Sequence, residues 1–95
     1  MPIYFNIKEA REYLLKHGEV YTLRKPRKTG DASIMIGNRY RQNVKKIGNG
    51  YVSFVEQIVN DKQLEKYVEQ SGFKSIEKWR EKAEDCKQLY KVELI

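Results

Sequence analysis

Apolar residues recur along this chain with two different periods, and the switches between them mark out elements. Ile7, Ala10, Leu14 and Leu15 fall at helical spacing. Asn6 stands three residues before Glu9, the spacing of a capping box, and Gly18 follows Lys16 and His17 as a stop with cations at the carboxyl end of the helix dipole. The pattern predicts a helix over 7–16, preceded by a short strand in Met1–Phe5. Val20–Arg24 (VYTLR) is β-branched and aromatic and predicts a strand. Pro26 and Gly30-Asp31 turn KPRKTGDA into a loop. Ala32–Ile36 is a short apolar strand ended by Gly37-Asn38, and the basic RYRQNVKKI continues as an edge strand. Gly48-Asn49-Gly50 has the composition of a hairpin turn. Tyr51–Val59 (YVSFVEQIV) is the clearest strand.

In the remaining third, Asn60 or Asp61 caps a helix whose apolar face is Leu64, Tyr67 and Val68, with Gly72 as its end. Ser75 opens a second short helix that turns Ile76, Trp79 and Ala83 inward. Gln88–Ile95 alternates as a closing strand. The order β-α-β-β-β-α-α-β has no repeat, low-complexity tract or linker. It predicts one domain over 1–95, of α+β class, with a mixed, mostly antiparallel sheet that approaches a small β-barrel.

Composition narrows the function. The 95 residues suffice for one modest core, and 40% hydrophobic with 34% charged residues describes a wet-surfaced globular chain. No stretch approaches the roughly 18 apolar residues that span a bilayer, and MPIYFNIKEAREY lacks the pattern of a secretory signal. One Cys (Cys86) and one His (His17) exclude an internal disulfide and a Cys/His zinc site. A cytoplasmic protein without metal or cofactor, and not bound to membrane, is the expectation.

Charge is distributed unevenly. Residues 24–46 carry Arg24, Lys25, Arg27, Lys28, Arg39, Arg41, Lys45 and Lys46 against Asp31, a net +7, while eleven basic and twelve acidic side chains elsewhere leave −1. Such clustering attracts polyanions by steering and counterion release. Tyr40 between Arg39 and Arg41 has the make-up of a base-stacking platform flanked by phosphate contacts, and Tyr21 is a second candidate. Catalytic signals are poor by comparison. His17 is alone at a helix end, Cys86 follows the acidic Glu84-Asp85, and no glycine-rich phosphate loop is present. Glu65 and Glu69 interleave with Lys62 and Lys66, as Lys78 and Lys82 do with their own acids, in the manner of solvated helix faces.

Three stretches together resemble the ASCH family, a branch of the PUA-like β-barrels. Gly18 followed by YTLR and Arg24 is similar to the family's Gly-x-Lys-x-x-x-x-Arg signature. Gly30-Asp31 is similar to its Gly-Asp step. The tail GYVSFVEQIV, a Leu-x-x-Tyr stretch, Ser71-Gly72-Phe73, a Trp-bearing helix and LYKVEL complete the likeness. The resemblance implies a small barrel with helices flanking one cleft, and RNA binding, with Arg24 at the cleft. Some members hydrolyse N4-acylated cytidines with a Lys, a Thr and a later Glu. Here the Thr matches Thr22, the Lys position is Glu19, and the later Glu falls near Ser71, with Glu69 closest. The expectation is a non-enzymatic nucleic-acid-binding domain, RNA before single-stranded DNA, using Tyr21, Arg24, Lys25, Arg27, Lys28, Arg39, Tyr40, Arg41, Lys45 and Lys46. A small hydrolase, amidohydrolase or ribonuclease, using Thr22, Arg24 and Glu69 is the first alternative. A basic protein-interaction adaptor is the second.

Overall fold

The structure is a computed structural model that describes residues 2–37 and 44–95. Its elements follow the hydrophobic pattern closely at both ends of the chain. Strand β1 is Ile3–Tyr4 and helix α1 is Lys8–His17. Strand β2 is Glu19–Arg24, β3 is Gly30–Ile36, β4 is Lys45–Gln57, helix α2 is Ile76–Ala83 and β5 is Gln88–Leu94. Helix α1 ends where expected, because Gly18 adopts the left-handed conformation and its N–H bonds to the Leu14 carbonyl. Helix α2 begins where expected, because the Ser75 hydroxyl accepts from the Lys78 N–H at 3.2 Å.

Three expectations are corrected. Asn6 does not cap α1. Its side-chain carbonyl accepts from the Gly37 N–H at 2.7 Å and its amide donates to the Gly37 carbonyl at 2.9 Å, so it ties the end of β1 to the end of β3. The segment from Asn60 to Gly72 is not an α-helix but two 3-10 turns, Asp61–Lys66 and Glu69–Ser71. The first of these does carry the expected cap, with Asn60 and Gln63 forming a reciprocal capping box. Gly48-Asn49-Gly50 is not a hairpin turn. It lies inside the 13-residue β4. A Cβ on Gly50 would lie 2.8 Å from Ile34 Cδ1 and 2.9 Å from the Glu93 carbonyl oxygen, so glycine is there to let three strands pack closely.

The strands form one five-stranded sheet in the order β1-β3-β4-β5-β2, with β1 parallel to β3 and every other pair antiparallel. Strand β4 is longer than its partners and is shared between them. Its first part, Lys45–Val52, pairs with β3, and its last part, Gly50–Gln57, pairs with β5. Each ladder contains a bulge, at Ile34/Met35 and at Phe54/Glu56. Bulges add twist, and the sheet curls into a half-barrel. Val20, Val92 and Val52 stand side by side across β2, β5 and β4, all fully buried, and Ile3 and Ile34 continue this inner face across β1 and β3. Leu14 of α1, Leu64 of the 3-10 turn and Trp79 of α2 complete the core. Among the described residues, β1 and β2 are not paired to each other, so the barrel is not closed by backbone hydrogen bonds. Side chains cross the seam instead, as the next subsection describes. No helix of the described chain is long and apolar enough to cross a membrane.

Candidate nucleic-acid interface

Strand alternation decides what faces the seam. Val20, Thr22 and Arg24 of β2 pair with Val92, Tyr90 and Gln88 of β5 and share one face. Val20 is absorbed by the core; Thr22 and Arg24 sit further along, where β2 runs out toward the open edge. There they line a cavity of about 290 Å³ together with Phe5, Ile7, Phe73 and Trp79, with Lys82, Glu84 and Cys86 also on its wall. This cleft lies between the ends of β1 and β2, with the α2 region on one side.

Arg24 is the centre of the site. Its Nε donates to Thr22 Oγ1 at 3.2 Å, and its guanidinium lies over the Phe5 ring, 4.8 Å from the centroid. The two Nη groups have no protein acceptor, and no carboxylate pairs with the guanidinium, among the described residues. Burial, reinforced by the neighbouring Arg27 and opposed by Cys86, lowers its pKa from the ordinary guanidinium range to about 10. It therefore remains a cation at neutral pH. A half-buried cation with unused donors and no counter-ion suits an anionic or carbonyl-rich ligand.

The adjoining loop is fixed rather than loose. Tyr90 is buried, and its hydroxyl accepts from the Arg27 N–H at 2.9 Å and lies 3.3 Å from the Arg27 carbonyl. Arg27 Nη2 donates to the Pro2 carbonyl at 3.4 Å, a second link across the seam. Burial lowers the Arg27 pKa, while Tyr90 opposes this. Lys25 and Lys28 are exposed on either side of it.

Lys45 and Lys46 begin β4 and are exposed. Lys46 pairs with Met35, and the Met35 carbonyl accepts from the Phe5 N–H at 2.9 Å. Since Phe5 carries the Arg24 guanidinium, one row of contacts runs from Lys46 through Met35 and Phe5 to Arg24. That path is about three strand spacings, roughly 15 Å. Strand alternation turns Lys46, with Met35 and Tyr4, to the face opposite Phe5, and neither Lys45 nor Lys46 lines the cleft. Arg39, Tyr40 and Arg41 lie outside the described residues.

Other expected positions are elsewhere. Tyr21 lies one residue off the Thr22–Arg24 face and packs against Tyr67 in a tilted pair, with centroids 4.9 Å apart, and it does not line the cleft. Glu69 is exposed on the second 3-10 turn and does not line it either. His17 packs on Tyr13 at the end of α1, with centroids 4.2 Å apart.

The sequence pattern gave no sign of Glu84. It combines φ 53° with ψ −118°, a conformation that favours glycine, in a turn closed by the Cys86 N–H on the Ala83 carbonyl at 3.0 Å. Arg80 clamps this turn: Nη1 donates to the Cys86 carbonyl at 2.8 Å, and Nη2 pairs with Asp61 at 3.1 Å. Cys86, read as lying in acidic surroundings, instead borders the cleft near Arg24. Among the described residues, no three His, Cys, Asp or Glu side chains converge as a ligand set for a metal. The chain matched no protein-family model, no curated protein and no solved structure.

Proposed function

We propose that this chain is a PUA-like domain of ASCH type that binds single-stranded nucleic acid, RNA before DNA, through the cleft between β1 and β2. The observation that carries this is Arg24: a half-buried cation over the Phe5 ring, with no carboxylate partner among the described residues. A phosphate, or the carbonyl edge of a base, satisfies its Nη groups. Arg27, Lys25 and Lys28 on the adjoining loop, and Lys45 and Lys46 across the seam, add the electrostatic attraction that positions a backbone without reading sequence. Arg39, Tyr40 and Arg41 remain part of this proposal as the sequence between β3 and β4.

The test is fluorescence anisotropy with short RNA and DNA oligomers from low to moderate salt. The wild type is expected to bind RNA with a negative slope of log K against log salt, each neutralised phosphate contributing about −0.7 on a single strand. Arg24→Gln is expected to weaken binding to all sequences. No binding at low salt would remove this function and leave a basic adaptor for an acidic protein.

One observation supports a second reading, a small hydrolase. Thr22, Lys82 and Glu84 line the same cavity, and the Glu84 backbone is strained at its wall. Glu69 would then have no part in the reaction. Incubation with N4-acetylcytidine decides this. We expect no release of cytidine, and dose-dependent release would establish the enzyme.

A further inference from the structure

The cleft does not end at Arg24. Phe73 and Lys82, which line it, also line a second cavity of about 410 Å³. Gly72, Lys74, Lys78, Glu81 and, from α1, Glu9 complete that cavity. The lysines fall at four-residue steps: Lys78 and Lys82 are one turn apart on α2, a rise of about 6 Å, and Lys74 stands just before the Ser75 cap. All three are exposed, and none forms an ion pair among the described residues. From sequence, Lys78 and Lys82 look like one side of a solvated helix. The structure makes them the wall of a depression that shares Phe73 and Lys82 with the Arg24 cleft.

A row of cations along one depression suits a ligand with a row of negative charges. The cavity is too small for a duplex and fits a single strand. The two carboxylates matter as much. Glu9 and Glu81 repel phosphates from their own positions, which confines a backbone to the lysine row. They also accept hydrogen bonds from exocyclic amino groups of bases.

We infer that single-stranded RNA leaving the Arg24 cleft continues through this second cavity, with Lys74, Lys78 and Lys82 holding successive phosphates and Glu9 and Glu81 accepting from base amino groups. This rests on the nucleic-acid function proposed above. It assigns a surface that lies outside the basic stretch 24–46, and it gives the site a preference for amino-bearing bases over uracil.

The experiment compares two charge-matched double variants by anisotropy with labelled RNA homo-oligomers over a salt series. Lys74→Gln/Lys78→Gln removes two cations from the cavity. Lys62→Gln/Lys66→Gln removes two exposed cations from the 3-10 turn that lines neither cavity. The first pair is expected to bind more weakly, with a slope shallower by about 1.4. The second pair is expected to match the wild type, and the wild type to bind oligocytidine more tightly than oligouridine. Glu9→Gln/Glu81→Gln is expected to narrow that preference. If both lysine pairs behave alike while Arg24→Gln weakens binding, the second cavity is not on the path and the cleft stands alone. Equal binding of oligocytidine and oligouridine overturns the role of the two carboxylates. A wild type that binds no RNA overturns the function itself.

Discussion

The Arg24 guanidinium lies 4.8 Å from the centre of the Phe5 ring and joins the two ends of a sheet that backbone hydrogen bonds among the described residues leave open. Phe5 is almost fully buried, so it presents one flat face as a fixed support and its other contacts to the core. A cation held this way loses little freedom on binding a ligand, which is the usual advantage of a guanidinium over an ammonium.

Holding Arg24 there opposes folding. Its pKa in the folded chain, about 10, lies below the ordinary guanidinium value, so burial disfavours the charged form. That unfavourable contribution is fully present below about pH 10 and is relieved as pH rises from there toward the unfolded value. Arg24→Met, which keeps an apolar chain against Phe5, is expected to raise the thermal midpoint while weakening RNA binding. The stability gap between variant and wild type should stay constant through neutral pH and narrow above about pH 10. A lower midpoint for the variant would show that the Phe5 and Thr22 contacts outweigh desolvation.

Tyr90→Phe deletes the hydroxyl that meets both the N–H and the carbonyl of Arg27. The expected loss is about 1 kcal/mol, the net value of a hydrogen bond whose partner stays partly buried. Chemical denaturation measures it. Nuclear magnetic resonance should place the largest shifts in the 25–29 loop, and shifts confined to the core would argue against this anchor.

Trp79→Ala is expected to destabilise by roughly 3–5 kcal/mol, because the indole is 2% exposed and stacks on Phe73 at 6.4 Å. The cleft wall would collapse with it. An unchanged urea midpoint would contradict this packing.

Glu84→Gly is expected to stabilise the chain by roughly 1 kcal/mol, since glycine adopts this backbone conformation without strain. Glu84→Ala removes the same carboxylate but keeps the strain, and should not stabilise. Equal midpoints for the two variants would mean that the turn stores no strain.

The local elements were legible from residue patterns because their determinants are local. Gly18 stops α1, Ser75 caps α2, and alternation marks β2 and β5. The 3-10 turns were not, since Leu64 and Tyr67 are three residues apart and that spacing serves an α-helix and a 3-10 turn equally. Gly48 and Gly50 were misleading for a related reason. Glycine marks a turn or a close approach, and only the neighbouring Ile34 and Glu93 decide which. For the site, Arg24 and Thr22 were identifiable in sequence. Phe5, Phe73, Lys82 and Glu84 reach the cleft through contacts between segments far apart in the chain, and carry no local sign of it.

Among the described residues, only Gly50, Tyr51 and Val52 of β4 have a strand on both sides. The sheet is therefore two ribbons welded over three residues, one ending in Phe5 and the other in Arg24. A small rotation of one ribbon against the other about this weld is magnified at its far ends, so the gape of the cleft is geared to a point remote from it. A ligand that clamps Arg24 against Phe5 should slow solvent exchange of the amide protons at Gly50, Tyr51 and Val52, and a bulky residue wedged at Gly50 should change affinity without touching the ligand.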